Sequence, residues 1–263
     1  MTARYLGETD TGSVVGLIPA AGLATRLGSP TGSKELLPVW RPKKGGEALP
    51  VIHCLLASFE TAAVEQTFIV IRSGKEDIRD ALGCVAPGGM QLEYVSVDGT
   101  PSPPFTLHAA VPRLAEATVV MGFPDILFRP PDAAARILEG LVRTGADVLL
   151  GLFPHPQVRQ ADVVDVESRG VLRSIRRDGQ PEYAGWTWGL AAWRPRFTGF
   201  LHDFVEGVSV SDARTGALSV GDVFAAAIDS GLAVQGEIVS DVPFLDIGTP
   251  EALEEAYRRL GDS

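Results

Sequence analysis

Residues 16–39 read GLIPAAGLATRLGSPTGSKELLPV, and this stretch decides how the rest of the chain is interpreted. It begins inside an apolar run, Val14–Pro19, that predicts a short buried β-strand. Small residues follow this strand, so backbone N–H groups can approach a bulky ligand, and phosphate oxygens suit such donors. Arg26 and Lys34 add positive charge to an acidic chain. The stretch is not a P-loop, because the G-x-x-x-x-G-K-[ST] pattern is absent.

Apolar runs and helical periodicities alternate on the C-terminal side of this stretch. Strands that alternate with helices predict crossover connections and a mainly parallel sheet. The predicted strands are residues 67–71, 91–97, 117–121 and 147–153, and the predicted helices lie at 51–59, 75–82 and 132–143.

The pattern changes after about residue 155. Two short apolar runs, 163–166 and 171–175, flank a predicted hairpin turn at 167–170. A segment rich in Trp and Gly follows at 184–193, and helices are predicted at 196–206 and 221–230. A last helix begins after Thr249, which can cap it. This half predicts a mixed sheet packed on the first half, with one continuous core and substrate held between the halves.

Composition limits the classes of function. The chain has 263 residues, 45% of them hydrophobic, and a net charge of −10. This charge disfavours a nucleic-acid partner, and no apolar run reaches the roughly 20 residues that a membrane span needs. The N-terminus has no signal-peptide pattern, and Cys54 and Cys84 have no zinc-ligand spacing. A cytoplasmic protein with reduced thiols is therefore predicted.

The opening stretch resembles the signature of the sugar-1-phosphate nucleotidylyltransferases, among them the glucose-1-phosphate thymidylyltransferases and the UTP–glucose-1-phosphate uridylyltransferases. The run AAGLATR at 20–26 is similar to A-A-G-x-G-T-R, with Ala24 in place of a usual Gly. The run KELLPV at 34–39 is similar to the family's P-K-x-L-L-P-V, with Ser33 in place of the Pro.

Two acidic motifs extend the resemblance. Asp125 ends the run VVMGFPD, and Asp246 lies in FLDIGTPE, which is similar to the family's W-x-D-x-G-T-P-E. The resemblance implies that both carboxylates hold Mg²⁺ on the nucleotide phosphates. Two other interpretations stay open: Asp125 as an ordinary turn former, and Asp246 as a contributor to capping the last helix.

The middle of the chain matches less closely. Thr106 and His108 align with a family segment near the base, although His108 also fits an ordinary helix residue. The run YAGWTWG at 183–189 occupies the position of a family segment that contacts the sugar. The resemblance thus implies sugar contacts for Tyr183, Trp188 and Gly189. Trp186 shares a strand face with Trp188, and both also fit simple core packing. The family's Glu-Lys pair is missing, and Arg176-Arg177-Asp178 stand there instead.

The resemblance implies an α/β fold: a mixed, mainly parallel Rossmann-like (GT-A-like) sheet flanked by helices, with a smaller mixed-sheet part that binds the sugar. It implies one domain, 1–263, with a nucleotide-binding half at about 14–155 and a sugar-binding half at about 156–263. The implied reaction joins a nucleoside triphosphate, dTTP or UTP, to a sugar 1-phosphate with Mg²⁺ as cofactor. The implied catalytic residues are Arg26, Lys34 and Asp125, the metal ligands are Asp125 and Asp246, and the nucleotide contacts are Ala20, Ala21, Gly22, Ala24, Thr25, Thr106 and His108.

Two alternatives remain. A non-catalytic paralogue that binds a nucleotide-sugar and regulates a partner is compatible with the altered sugar segment, although Arg26, Lys34 and the two acidic motifs argue against it. A Rossmann dehydrogenase is disfavoured, because G-x-G-x-x-G is missing. The expected partners are the two small-molecule substrates, with no nucleic acid and no membrane, and self-association into a homo-oligomer is left open.

Overall fold

The computed structural model describes residues 12–23, 32–42, 46–114, 116–155, 161–167, 170–176, 185–209 and 218–261. Strands and helices alternate along these residues. The strands are β1 (Val14–Pro19), β2 (Pro38–Trp40), β3 (Leu49–Pro50), β4 (Gln66–Arg72), β5 (Gln91–Val97), β6 (Thr118–Gly122), β7 (Ile126–Leu127), β8 (Val148–Pro154), β9 (Val163–Val166), β10 (Leu172–Arg176), β11 (Trp186–Trp193), β12 (Val234–Ile238) and β13 (Leu245–Asp246). The helices are α1 (Ile52–Thr61), α2 (Glu76–Leu82), α3 (Pro103–His108), α4 (Val111–Leu114), α5 (Ala133–Thr144), α6 (Pro195–Gly207), α7 (Val220–Asp229) and α8 (Pro250–Gly261).

Nine strands form one mixed sheet that runs through both halves of the chain. Strands β5, β4, β1 and β6 are parallel neighbours, so their carboxyl ends lie at one edge of the sheet. Strand β11 is antiparallel to β6 and to β8, and it connects the parallel part to the β9–β10 hairpin. The predicted α/β fold, a large mainly parallel sheet flanked by helices with a smaller antiparallel part, is confirmed.

The central parallel strands β1, β4 and β6 are buried on both faces of the sheet, which explains why they are mainly apolar, whereas β5 at the edge alternates buried and exposed residues. Successive residues of β1 point to opposite faces, so Leu17 packs in one core layer and Ile18 in the other. Helices α6 and α7 cover the first layer, and α1 and α5 cover the second. The sheet thus leaves its carboxyl-end edge as the place where loops from both halves can meet.

Most predicted elements occur within one or two residues of their expected bounds, including β5, which matches in full. The Thr249 hydroxyl accepts the Ala252 N–H at 3.3 Å, so the predicted cap of the last helix is confirmed. The helices α3 and α4 and the strand β12 were not predicted, because the two helices span only six and four residues and Gly236 lies inside the strand. Within the described residues, no helix combines the length and the apolar character that crossing a membrane requires.

Candidate active site

A cleft of about 1370 Å³ opens at the carboxyl-end edge of the parallel strands. Ligands of open α/β sheets bind at this edge, because the loops that leave neighbouring strands converge there. The parallel part of the sheet contributes Ala21 and Gly22 after β1, Arg72 at the end of β4, Asp98 and Gly99 after β5, and Phe123 and Asp125 after β6. The second half contributes Asp162, Trp188, Ser219 and Asp246.

Asp125 and Asp246 are brought together by a two-stranded ribbon. Strands β7 and β13 are antiparallel, and Asp246 lies opposite Ile126 in their register. The Ile247 N–H donates to the Asp125 carbonyl oxygen at 3.0 Å, so the two acidic residues occupy adjacent places at the end of this ribbon. Both line the cleft. The ribbon therefore explains how two motifs far apart in sequence can contribute to one site.

Lys34 lies beside these carboxylates and forms an ion pair with Asp125. It begins a single 3-10 turn, Lys34–Leu36. Ser33, just before it, donates its N–H and its hydroxyl to Asp77, each at 2.7 Å, so α2 fixes the start of the turn. Burial lowers the pKa of Lys34, but Asp125, Glu35 and Asp246 together outweigh burial and raise it above its usual value. The lysine is therefore a permanent cation at neutral pH.

Beneath Lys34, a second ion pair anchors the loop that follows β1. Glu35 and Lys75 are 1% and 7% exposed, and the Lys75 ammonium lies 2.7 Å from both Glu35 carboxylate oxygens. The same ammonium donates to the carbonyl oxygens of Ala20 at 2.9 Å and Gly22 at 3.2 Å. Burial raises the pKa of Glu35, and Lys75 opposes that shift. The loop and the Lys34 turn are thus joined through one ammonium.

Sequence reasoning missed this pair. Glu35 is the second residue of KELLPV and Lys75 precedes α2, but no local pattern connects a residue on one segment with a residue on the other. The only signal was that both belong to segments next to strand ends. Arg72, Asp98 and Asp162 were also missed, although each lies near the end of a segment that was assigned correctly.

The donor set at Asp125 and Asp246 fits a magnesium ion. Both offer carboxylate oxygens, which are the ligands that Mg²⁺ prefers, and Mg²⁺ commonly takes one or two carboxylates and completes its shell with water and substrate phosphates. Asp246 is oriented by the Gly248 N–H, which donates to its Oδ1 at 2.8 Å. The two residues and substrate phosphates together would supply the oxygen ligands.

Thr106 and His108 lie on different sides of α3. Thr106 lines the cleft, and its hydroxyl shares a 2.6 Å hydrogen bond with the hydroxyl of Thr100. His108, in contrast, is not among the described residues that line the cleft; its ring stacks on His202 of α6 with centroids 5.1 Å apart. Its expected contact with the nucleotide therefore has no support in this arrangement, because its side chain is engaged on the far side of the helix.

Trp188 borders the cleft but is only 5% exposed, and Gly189 is not among the described residues that line it. The Trp188 indole N–H donates to Asp162 Oδ2 at 2.8 Å, and the ring packs against Phe123 and Phe224. A methyl group on Gly189 would lie 3.1 Å from Phe244 and 3.2 Å from Ile126. Gly189 is thus a packing residue, and it lets the ribbon that carries the two aspartates approach β11.

Trp186 packs against the same core layer as Trp188, as the predicted alternation requires. It is not among the described residues that line the cleft. Four expected site residues lie outside the described residues, namely Ala24, Thr25, Arg26 and Tyr183, and so do Arg177 and Asp178, which stand in place of the missing Glu-Lys pair.

No protein-family model matches the sequence, and no curated protein matches it. Solved structures do match over nearly the whole chain. A protein from Bacillus anthracis assigned as a glucose-1-phosphate thymidylyltransferase, in complex with sucrose, aligns with a TM-score of 0.79 and 17% identity over 95% of this chain and 96% of its own. A UDP-glucose pyrophosphorylase from Acinetobacter baumannii aligns with a TM-score of 0.75 and 16% identity over 95% and 93%.

An inositol-1-phosphate CTP transferase from T. maritima aligns with a TM-score of 0.68 and 17% identity over 96% of this chain and 97% of its own. At these identities the likeness shows a shared fold. The chain therefore has the fold in which these three nucleotidyltransferases are built.

Proposed function

We propose that this chain is a magnesium-dependent nucleotidylyltransferase that joins a nucleoside triphosphate to a sugar 1-phosphate and releases pyrophosphate. The observation that carries the proposal is the meeting of Lys34, Asp125 and Asp246 in one cleft at the carboxyl-end edge of the sheet. A fixed cation and two metal-binding carboxylates are the parts that phosphoryl-group chemistry between two polyanions requires.

The chemistry needs no general base, because the attacking oxygen belongs to a phosphate that is already an anion. Catalysis then depends on bringing two polyanions into line and on neutralising their charge. The backbone of Ala21 and Gly22 binds the triphosphate, and Lys34 lies where the α-phosphate and the incoming sugar phosphate meet. Arg26 binds the β- and γ-phosphates. When bound, Mg²⁺ supplies charge neutralisation at the transferring phosphate, and Asp125 and Asp246 would hold it.

The proposed nucleotide is a pyrimidine triphosphate, dTTP or UTP. Support comes from the likeness of residues 16–39 to the thymidylyl and uridylyl enzymes and from the named nucleotides of the structural neighbours. The acceptor pocket lies between Trp188 and the α7 N-terminus, where Asp162 and Ser219 line the cleft. The small exposed part of the Trp188 indole can contact the apolar C–H face of a sugar or cyclitol ring. The accepted compound is therefore a sugar 1-phosphate or a cyclitol 1-phosphate.

Pyrophosphate release from a matrix of four triphosphates (dTTP, UTP, CTP, ATP) and three acceptors (glucose, galactose and inositol 1-phosphates) tests the proposal. Turnover that needs both substrates and Mg²⁺, with a pyrimidine preferred, is the expected result. Lys34→Ala is the negative control, and Arg79→Ala, an exposed cation on α2, is the matched control that keeps activity. A clear preference for ATP contradicts the base assignment, and nucleotide-sugar binding without any turnover would favour the regulatory paralogue.

A further inference from the structure

A cluster of metal-ligating side chains lies outside the cleft, where α3 meets α6. It consists of His108, His202 and Glu206, whose ligand atoms all lie within 4.8 Å of one another. We propose that this histidine cluster binds a divalent transition-metal ion of the Zn²⁺ class, separately from the magnesium proposed for the cleft.

The three ligand atoms are near enough to one another to converge on a single ion. His202 and Glu206 are one helical turn apart on α6, so their side chains share a face, and His108 approaches from the end of α3. Its Nε2 lies 2.9 Å from His202 Nδ1 and 3.6 Å from Glu206 Oε1. Ligand atoms about 2.1 Å from a tetrahedral ion are about 3.4 Å apart. The two observed separations bracket this value, and all three ligand atoms lie within 4.8 Å of one another. The 2.9 Å contact is a hydrogen bond between the two rings, so an ion would replace this hydrogen bond as the rings reorient.

The ligand types of the histidine cluster favour a different metal ion from the one that the carboxylates of the cleft favour. Imidazole nitrogens favour Zn²⁺, Cu²⁺ and Ni²⁺, whereas carboxylate oxygens favour Mg²⁺. His108 and His202 each offer one imidazole nitrogen to the cluster. Glu206 adds one negative charge. Two nitrogens and one oxygen leave a fourth position of a tetrahedral ion for water.

An ion bound by this cluster would connect α3, which contributes a residue to the cleft, with α6, which packs in the core. Helix α3 carries Thr106, which lines the cleft, and α6 packs in the core layer behind it. A metal that bridges His108 to α6 therefore fixes the position of α3. This gives the cluster a measurable consequence for thermal stability as well as for metal binding.

Zn²⁺ titration by calorimetry tests the proposal on the full chain after metal is removed by a chelator. Excess Mg²⁺ is kept in the buffer to compete for the oxygen-ligand site in the cleft. The wild type should bind one equivalent of Zn²⁺, and His202→Ala should weaken that binding at least tenfold. Asp203→Asn is the matched control, because this exposed acidic residue is the next position on α6 and points about 100° away. Equal Zn²⁺ affinity in H202A and D203N, or no binding by the wild type, overturns the proposal.

Two further measurements distinguish the loss of a metal ligand from a general structural effect of the His202→Ala substitution. Co²⁺ in place of Zn²⁺ should give visible absorption bands in the wild type and in D203N, and H202A should lose them. Zn²⁺ at about 100 times its dissociation constant should raise the melting temperature by at least about 5 °C in the wild type and D203N. The same rise in H202A contradicts the site. None of these measurements depends on turnover, so their failure leaves the proposed function untouched.

Discussion

Lys75 and Glu35 form a buried ion pair in which the Lys75 ammonium lies 2.7 Å from both carboxylate oxygens of Glu35. The same ammonium also binds the carbonyl oxygens of Ala20 and Gly22. Because Glu35 directly follows Lys34, the pair connects the loop after β1 with the turn that carries the candidate catalytic lysine. The geometry of the site thus depends on Lys75, a residue that does not itself line the cleft.

Lys75→Met should destabilise the protein by about 3–5 kcal/mol, because Glu35 is left as a buried charge without its partner. Chemical denaturation measures the change, and Arg79→Met, which breaks an exposed ion pair on α2, the helix that Lys75 precedes, should cost under about 1 kcal/mol. The double variant K75M with E35L should recover much of the stability but little of the activity, because the loop carbonyls stay unbound. Equal stability of K75M and R79M contradicts the argument.

Asp125→Asn and Asp246→Asn should each lower turnover by at least about 100-fold while the fold is kept, if both carboxylates hold the metal that neutralises transition-state charge. Steady-state kinetics and circular dichroism measure the two properties. Asp80→Asn, an exposed acidic residue on α2, is the control and should keep wild-type rates. A loss of tenfold or less at either position removes that residue from the metal site.

Lys34→Ala and Arg26→Ala should affect different kinetic parameters. Lys34 contacts the phosphates that react, so its loss should reduce kcat more than triphosphate affinity. Arg26, which lies outside the described residues, is proposed to bind the phosphates that leave as pyrophosphate. Arg26→Ala should therefore lower the triphosphate affinity in addition to kcat. Kinetics together with equilibrium binding of the triphosphate separate the two effects. Wild-type rates in both variants would show that the phosphate-loop interpretation is wrong.

The stabilising effect of Lys34 should disappear at alkaline pH. Its pKa in the folded protein lies above the usual 10.5, because its acidic neighbours outweigh burial. A group whose pKa is raised by folding stabilises fully below the unfolded pKa and loses that effect as pH rises through the folded pKa. The free energy of unfolding of the wild type minus that of Lys34→Met should therefore be constant from about pH 7 to 9. Above about pH 10.5 this difference should decrease, because the wild type loses the stabilisation that protonated Lys34 provides. A difference that does not change across this range contradicts the assignment.

Trp188→Phe should raise KM for the acceptor roughly five- to tenfold with little change in KM for the triphosphate, because Asp162 loses the indole N–H that orients it. Trp186→Phe is the matched control on the same strand face and should behave like the wild type. A crystal structure with bound nucleotide-sugar gives a direct check. The sugar-pocket role fails if the Trp188 indole lies beyond about 4.5 Å from the sugar ring.

Local sequence patterns were sufficient for most of the secondary structure. Residues 14–19, 91–97 and 163–166 form strands because their apolar residues need burial, and the period of that pattern is set by the backbone itself. The same holds for the last helix, whose Thr249 cap could be identified from residue types alone. Lys34, Asp125 and Asp246 were identified as site residues by a different route, because their short motifs resemble those of the sugar-1-phosphate nucleotidylyltransferases.

The sequence by itself therefore determined the alternation of strands and helices and the candidates for the site. Only the tertiary structure decided which strands are neighbours, that the β7–β13 ribbon sets Asp246 beside Asp125, and that Lys75 pairs with Glu35. The tertiary structure also shows that His108 packs against His202 of α6 and that Gly189 lies in close contact with Phe244 and Ile126. The physical reason is that periodicity specifies that a side chain is buried, whereas its partner is chosen by packing between segments far apart in the chain.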